Sequence, residues 1–397
     1  MERSDNRVGN YGRNVTLTFR WPPGIVRRMR NSDFEAARLT VRLGAVVSNY
    51  RTCQRLAGPA AVAGVVKADA YGCGAAEVSR ALADVGCDTF FVARLEEGVA
   101  LRKVVPTARI FVLDGAAPDT VDTLISNRLT PCLNSLAEVA GWAAAAKATH
   151  SELEAAIHID TGMNRLGLPG EELSRLASEW KKRLDGIRVV LWMSHLACAD
   201  EPDAKMNRVQ LDRFRTALAM LPPGPASFAS TGGVLLGKDY AFDLVRPGIG
   251  LYGGNVQNAP QNPFAVAAVL NARVLQLRAV DKGGTVGYGA TYRAKRPTLL
   301  ATVALGYADG LMRVLSGKGY AAIAGKRAPI TGRISMDLVT LDVTDIPSAE
   351  LSTGVDAEFF GDTIAIDDVA QAAGTIAYEV LTSITARVPR HYEKAAA

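Results

Sequence analysis

From residue 60 onward, short β-branched apolar runs alternate with stretches whose apolar positions recur at helical spacing. The runs lie at 60–66, 89–93, 109–113, 129–132, 155–159, 187–193, 226–229 and 242–245. Between them, segments such as 75–85, 136–147 and 205–221 are rich in Ala, Leu and Glu and read as amphipathic helices. Strand–helix alternation calls for a parallel sheet covered by helices. Eight such strands over roughly 190 residues predict a (β/α)8 barrel, somewhat shorter than usual. An open doubly wound sheet is the competing arrangement, but no G-x-G-x-x-G follows an early strand. After residue 265 the texture changes. Segments 266–280, 299–305, 320–324 and 338–343 read as strands between Gly, Pro and Asp turns, and no long helical pattern returns until 367–381. The expected organisation is a basic, flexible extension over 1–30, a barrel over 31–265 and a mostly-β domain over 266–397.

Composition narrows this picture. The 397 residues are 48% hydrophobic, and 45 basic against 40 acidic residues leave a net charge of +5. The surplus has a focus only in 1–30, where Arg3, Arg7, Arg13, Arg20, Arg27, Arg28 and Arg30 face Glu2 and Asp5. No nucleic-acid footprint follows from that. The same stretch lacks the continuous apolar core and small-residue cleavage site of a secretory signal. Cys53, Cys73, Cys87, Cys132 and Cys198 are odd in number and irregularly spaced, which suits a reducing compartment. With no apolar run of about 18 residues to span a bilayer, a soluble, cytoplasmic protein is expected. His150, His158, His195 and His391 form no metal-like cluster, so no metal is expected.

In a barrel, chemistry gathers where strands run into the loops at their C-terminal ends. Lys67 closes the first strand, His195 follows the sixth, Ser230-Thr231-Gly232-Gly233 the seventh and Arg246-Pro247-Gly248-Ile249-Gly250 the eighth. A lysine held at the end of an apolar strand loses hydration, which lowers its pKa and frees its amine for Schiff-base chemistry. Small and hydroxylated residues after strands seven and eight can present backbone N–H groups to a phosphate. Each feature alone is ordinary: a strand-end lysine usually snorkels, a Gly-rich turn is usually only a turn, and a lone histidine is usually structural. Converging on one barrel mouth, they describe a pyridoxal-phosphate site.

VVKADAYGCGA (65–75), HIDTGMNRLGL (158–168), VRPGIGLYGG (245–254), VGYGATYRA (286–294), LGYADG (305–310), GRISMD (332–337) and RVPR (387–390) strongly resemble bacterial alanine racemase, in that family's order and across about 40–390. The resemblance implies a fold-type III pyridoxal 5'-phosphate enzyme that interconverts L- and D-alanine for peptidoglycan, as a homodimer with active sites shared between subunits. It implies that Lys67 carries the cofactor and serves as one base, on the D-enantiomer's face. Tyr288 matches the base on the other face, supplied by the partner subunit; Tyr292, four residues on, falls out of the motif register. Tyr71, Thr231, Gly248 and Ile249 match phosphate contacts, with Ser230 beside them. Arg246 matches the arginine facing the pyridine nitrogen, and His195 the histidine that with Arg246 supports the tyrosine base. Arg165 matches an arginine near the substrate carboxylate, and Met336 the residue whose backbone N–H reaches that carboxylate. Tyr307 and Asp337 match parts of the entrance.

Three departures accompany the match. His158 stands where several members carry a carbamylated lysine that buttresses the arginine, leaving Arg165 to be oriented by a bound anion or by Asn164. Ser230-Thr231 replaces an Asn-Ser pair. Ala386 stands immediately before RVPR, where a phosphate-contacting tyrosine is expected, with Tyr392 a conceivable substitute. The space at Ala386 motivates an alternative, a broad-specificity or serine racemase on the same scaffold. A decarboxylase of this fold type would set a carboxylate, not Arg246, at the pyridine nitrogen; a D-amino-acid lyase would add a metal site. A non-enzymatic pyridoxal-phosphate-binding homeostasis protein has the barrel alone, without the Tyr288 and Met336 motifs.

Overall fold

The structure is a computed structural model and describes residues 35–394; the basic stretch 1–30 lies outside them. Eight parallel strands form the first body. The first is broken at Ala63 into Ala61–Val62 and Gly64–Val65; the others are Thr89–Val92, Arg109–Val112, Thr130–Leu133, Leu153–His158, Ile187–Met193, Ala226–Ser227 and Leu244–Val245. Gly64–Val65 begins a seven-strand parallel ladder, and Leu244–Val245 pairs with Ala61–Val62, so the sheet closes on itself. Each strand falls on one of the apolar runs, because strands covered by helices outside and packed inside need apolar residues on both faces. Phe91 and Phe111, fully buried, stack in adjacent strands with centroids 4.6 Å apart. The intervening helices include Leu136–Ala148, begun by a Ser135 hydroxyl accepting the Glu138 N–H at 3.2 Å, and Lys205–Met220.

The second body is built on one long strand, Ala268–Val280. A bulge between Val274 and Gln276 bends it. Before the bulge it pairs antiparallel with Asp356–Phe360; beyond it, with Thr298–Val303, which carries Val339–Asp342. The expected strands at 320–324 and 338–343 appear as Tyr320–Ile323 and Val339–Asp342. The helical stretch expected at 367–381 is two helices, Ile366–Ala373 and Ala377–Ser383, because Gly374 takes a left-handed conformation (φ 73°) that ends the first.

Strand Ala37–Arg42 precedes the barrel in the chain yet lies in the second sheet. It pairs antiparallel with Ala268–Val280 (Leu39 opposite Leu270) and parallel with Arg390–Glu393 (Leu39 opposite Arg390). The sequence division had placed it with the barrel. Its Ala37, Leu39 and Val41 alternate inward, the period-2 signature of a strand half-covered by a core. Among the described residues no helix is long and apolar enough to cross a membrane.

Leu39 is fully buried where strand Ala37–Arg42 meets strand Arg390–Glu393. Leu39→Ala should therefore destabilise the fold by roughly 2–5 kcal/mol, measured as a fall in the denaturant midpoint with unchanged slope.

Candidate active site

Lys67 leaves the first barrel strand directly into an unusual turn. Ala68, Asp69, Ala70 and Tyr71 all have φ between 52° and 58°, one turn of left-handed helix built from non-glycine residues. Such backbone costs roughly 1–2 kcal/mol per residue, so the surroundings must hold it. Ala70 N–H donates to Val66 O at 2.9 Å and Gly72 N–H to Ala68 O at 2.8 Å. The Glu97 carboxylate accepts the Ala68 N–H at 2.6 Å, the Asp69 carboxylate accepts the Ala75 N–H at 2.7 Å, and Arg390 Nε donates to Gly72 O at 3.0 Å. The Lys67 amine is held below the usual lysine range, first by burial and then by the Arg165 guanidinium, against the opposing pull of Glu97 and Asp114.

A buried cation follows the eighth strand. Arg246 is only 5% exposed, and its guanidinium donates to Ser227 Oγ and to Ser194 O, the latter at 2.7 Å. It also lies over the Phe91 ring, 5.7 Å from the centroid. Burial pulls its pKa down to about 10, so it stays charged at neutral pH among neutral partners. Burial, followed by the charges of Arg246 and Arg165, drives His195 well below its ordinary value and keeps it neutral.

His158 is lowered to about 4 by burial and then by Arg246. Its Nδ1 lies 2.9 Å from Asn134 Oδ1. The Asn134 amide nitrogen donates to Leu113 O at 3.2 Å and Cys132 O at 2.8 Å, which fixes the amide and makes His158 Nδ1 the protonated nitrogen. His158 is thus a neutral, partnered strand histidine. Arg165 is exposed on a loop whose shape comes from the Asp160 carboxylate, which accepts N–H groups from Gly162, Met163 and Asn164 at 2.9–3.1 Å. The Asn164 amide turns back onto its own loop at Gly162 O (3.4 Å).

The third component is a cradle of hydroxyls and amides. Thr231 Oγ1 accepts the N–H groups of Gly248 (3.0 Å) and Gly250 (3.2 Å), locking the loops after strands seven and eight together. A Cβ at Gly248 would collide with the Tyr71 hydroxyl, so glycine is what lets that hydroxyl approach the loop. Ser230 stands at the start of the short helix Thr231–Leu235 without a side-chain bond to it, and Ile249 is buried beside Gly248. Tyr71 packs between Tyr252 (centroids 4.8 Å apart) and Tyr378 (5.8 Å).

Tyr378 was missed in the sequence. The missing tyrosine was sought at Ala386, but the aromatic ring against Tyr71 comes from eight residues earlier, on helix Ala377–Ser383. Ala386 is exposed, next to a Thr385 hydroxyl that donates to Ala308 O. Tyr392 does not fill in: its hydroxyl lies against Gly74, where a Cβ would strike it.

The donor set fits pyridoxal phosphate. Lys67 offers a low-pKa amine for its aldehyde, the Tyr71–Thr231–Gly248–Ile249 cradle offers donors for a phosphate, and Arg246 offers a donor for the ring nitrogen. A second group of expected residues is collected on the β domain. Tyr288 (71% exposed), Met336 (54%) and Tyr307 (42%) all protrude. Tyr307 N–H donates to Ser335 O at 3.1 Å and Ala308 N–H to Met336 O at 3.0 Å, while Arg387 joins Asp337 (2.9 Å) to Asp309 (3.3 Å). The charges that bear on Lys67 all belong to the barrel; Tyr288 is not among them.

Family models described as alanine racemase, N-terminal domain, and alanine racemase, C-terminal domain, match residues 41–256 and 267–392. A catabolic alanine racemase of Agrobacterium fabrum is 45% identical over 368 residues, covering 92% of this chain and 95% of that one. The same organism's biosynthetic alanine racemase is 42% identical over 372 residues, covering 90% and 95%. Among solved structures, the Bartonella henselae alanine racemase with covalently bound pyridoxal phosphate superposes with a TM-score of 0.87 at 37% identity, covering 90% of this chain and 99% of that one.

His158 is neutral in the fold and would charge more readily when unfolded. Its folded value near 4 lies below the ordinary 6.5, so stability is full above pH 6.5 and falls as pH drops toward 4. His158→Gln should flatten part of that acid limb in denaturant titrations at stepped pH, leaving the portion due to His195.

Proposed function

The chain belongs to the alanine racemase family and interconverts L- and D-alanine with pyridoxal phosphate; on that premise we propose a two-base reaction in which Lys67 and the partner subunit's Tyr288 serve opposite faces of the substrate. The observation that carries it is a low-pKa lysine amine after the first strand and a buried arginine with only neutral partners after the eighth, both acting on His195.

Bound there, pyridoxal phosphate supplies the electron withdrawal that makes an amino acid's α-hydrogen acidic. Lys67 would hold the cofactor and would remove or return the proton on the D-face. Its lowered pKa supports this, since a base works best when its pKa lies near the operating pH. Arg246, charged at neutral pH, would offer the ring nitrogen a donor with no proton to give up, which would keep the cofactor's electron withdrawal moderate. Tyr71, Ser230, Thr231, Gly248 and Ile249 hold the phosphate, and Tyr378 adds a hydroxyl beside Tyr71. Arg165 receives the substrate carboxylate.

The wide exposure of Tyr288 and Met336 supports a homodimer in which each β domain completes the partner's barrel. In that arrangement Tyr288 sits near Arg246 and His195. Met336 reaches the carboxylate, and Tyr307 and Asp337 line the entrance. A cytoplasmic enzyme feeding peptidoglycan is the role we assign. The domains we assign are the barrel to 265 and the β domain from 266, with strand Ala37–Arg42 lent to the latter. The serine or broad-specificity alternative rested on space at Ala386, and Tyr378 against Tyr71 removes that motive.

In D2O, purified enzyme should turn L-alanine into D-alanine deuterated at Cα, with L-serine much slower. No inversion with cofactor bound would overturn the assignment, and comparable serine turnover would restore the alternative. Lys67→Ala should abolish racemisation. Tyr288→Phe should lower racemisation in both directions by roughly 10²–10⁴-fold, since the enantiomers are equal in free energy. It should leave D-alanine exchanging its α-hydrogen with solvent through Lys67; loss of that exchange as well would reverse the face assignment.

A further inference from the structure

Glu97 lies in the first turn of helix Leu95–Arg102, three residues after its N-cap. A glutamate there ordinarily folds back onto the amides at its own helix start. Glu97 Oε2 does so, accepting from Ala93 N–H at 2.8 Å and Arg94 N–H at 3.1 Å. Its other oxygen leaves the helix: Oε1 accepts the N–H of Ala68 at 2.6 Å. That amide belongs to the Lys67–Ala68 peptide, the first link of the left-handed turn. Asp69 and Arg390 grip the turn farther along, at Ala75 and Gly72. Glu97 alone of these three holds the peptide that Lys67 itself forms.

We propose that Glu97 is a positioning residue for Lys67, tying the peptide after the lysine to the end of the second barrel strand and so fixing the direction in which the amine leaves the backbone. This rests on Lys67 being the cofactor-bearing base. The carboxylate suits the task because an ionised acceptor on a backbone N–H makes a stronger bond than a neutral one. Left-handed backbone offers no low-energy rest for Ala68 once the grip is lost. Glu97 also faces the amine as a charge, together with Asp114 from the loop after strand three and Arg165 from the Asp160 loop, while the neutral His195 approaches from the loop after strand six. Of these, Glu97 and Asp114 favour the protonated amine and Arg165 opposes it.

The test compares Glu97→Ala and Glu97→Gln with Glu96→Ala, which removes a neighbouring, exposed carboxylate. In the holoenzyme, Glu97→Ala should lower kcat for alanine at least about tenfold with KM within about twofold. It should also release bound cofactor on dilution about tenfold faster, and move the Lys67 limb of the kcat–pH profile to lower pH. Glu97→Gln keeps an acceptor for the Ala68 N–H and should retain more kcat, with the same displaced limb. Glu96→Ala should match wild type. The proposal falls if both Glu97 variants keep kcat and cofactor release within about twofold of wild type, or if only the melting temperature drops while the limb stays put. Should Glu97→Ala not fold, the limb and release rate of Glu97→Gln decide. Borohydride reduction of wild-type holoenzyme followed by peptide mapping separates the two levels. Cofactor fixed on another lysine overturns the assignment of Lys67, whereas cofactor on Lys67 with unaffected Glu97 variants overturns this inference alone.

Discussion

A guanidinium buried on neutral partners is the constraint around which the barrel mouth is organised. Taking a charge out of water without a counter-ion is expensive, and Arg246 is met only by a serine hydroxyl, a carbonyl and an aromatic face. A carboxylate partner would have quenched it. The nearby acids are committed elsewhere: Asp160 to the amides of Gly162, Met163 and Asn164, and Glu97 to those of Ala68, Ala93 and Arg94. The field that remains is positive at His195, while Glu97 and Asp114 oppose Arg165 at the Lys67 amine. Burial first, then Arg246 and Arg165, keep His195 and His158 neutral, while burial and then Arg165 press the proton off Lys67. A ligand bearing a phosphate, a ring nitrogen lone pair and a carboxylate relieves each part of that field at once, so the cost of forming the site is offset only when the site is filled.

The barrel was legible in the chain because its physics is repetitive. Eight strands buried on both faces must each be an apolar run, and turns to helices must separate them. Lys67, His195, Thr231 and Arg246 were legible for the same reason, since a strand's C-terminal end can be located once the strand is. What escaped depends on distance through space. Strand Ala37–Arg42 is six residues of simple alternation with nothing local to say that its partners lie at 268–272 and 390–393. Tyr378 sits on an unremarkable helical stretch, and only the return of that helix to the Lys67 turn sets its ring on Tyr71. The tyrosine was therefore sought at the wrong end of the segment, at Ala386. Glu97 reads as an ordinary first-turn glutamate; that its second oxygen crosses to Ala68 is invisible without coordinates.

The His158 departure shows how one substitution can be absorbed locally. A strand residue pointing at Arg165 and Arg246 need not carry negative charge if it can stay neutral and be held in one tautomer. Asn134 does that, with both of its own amide hydrogens already engaged by carbonyls. The orientation of Arg165 then falls to the Asp160-templated loop rather than to a direct ion pair, and the arginine stays exposed where a substrate carboxylate can reach it.

Racemisation places a demand on architecture that one rigid body satisfies poorly, because two bases must stand on opposite faces of a single carbon. Lys67 comes from the barrel, on a backbone strained into a left-handed turn and gripped from three directions, so its line of approach is set by structure that does not relax. A second base on the same turn would share its face. Tyr288, the second base we propose, is carried on a short hairpin of a different body, and the loops of Met336 and Tyr307 in that body are bonded to each other. Within one chain that surface is left open to solvent, with a tyrosine 71% exposed. So much aromatic surface on a tightly braced hairpin makes sense when it is covered by a second copy. In the dimer we propose, the same contact would close the cofactor site against water and deliver the opposing base, so assembly and catalysis would depend on one set of residues.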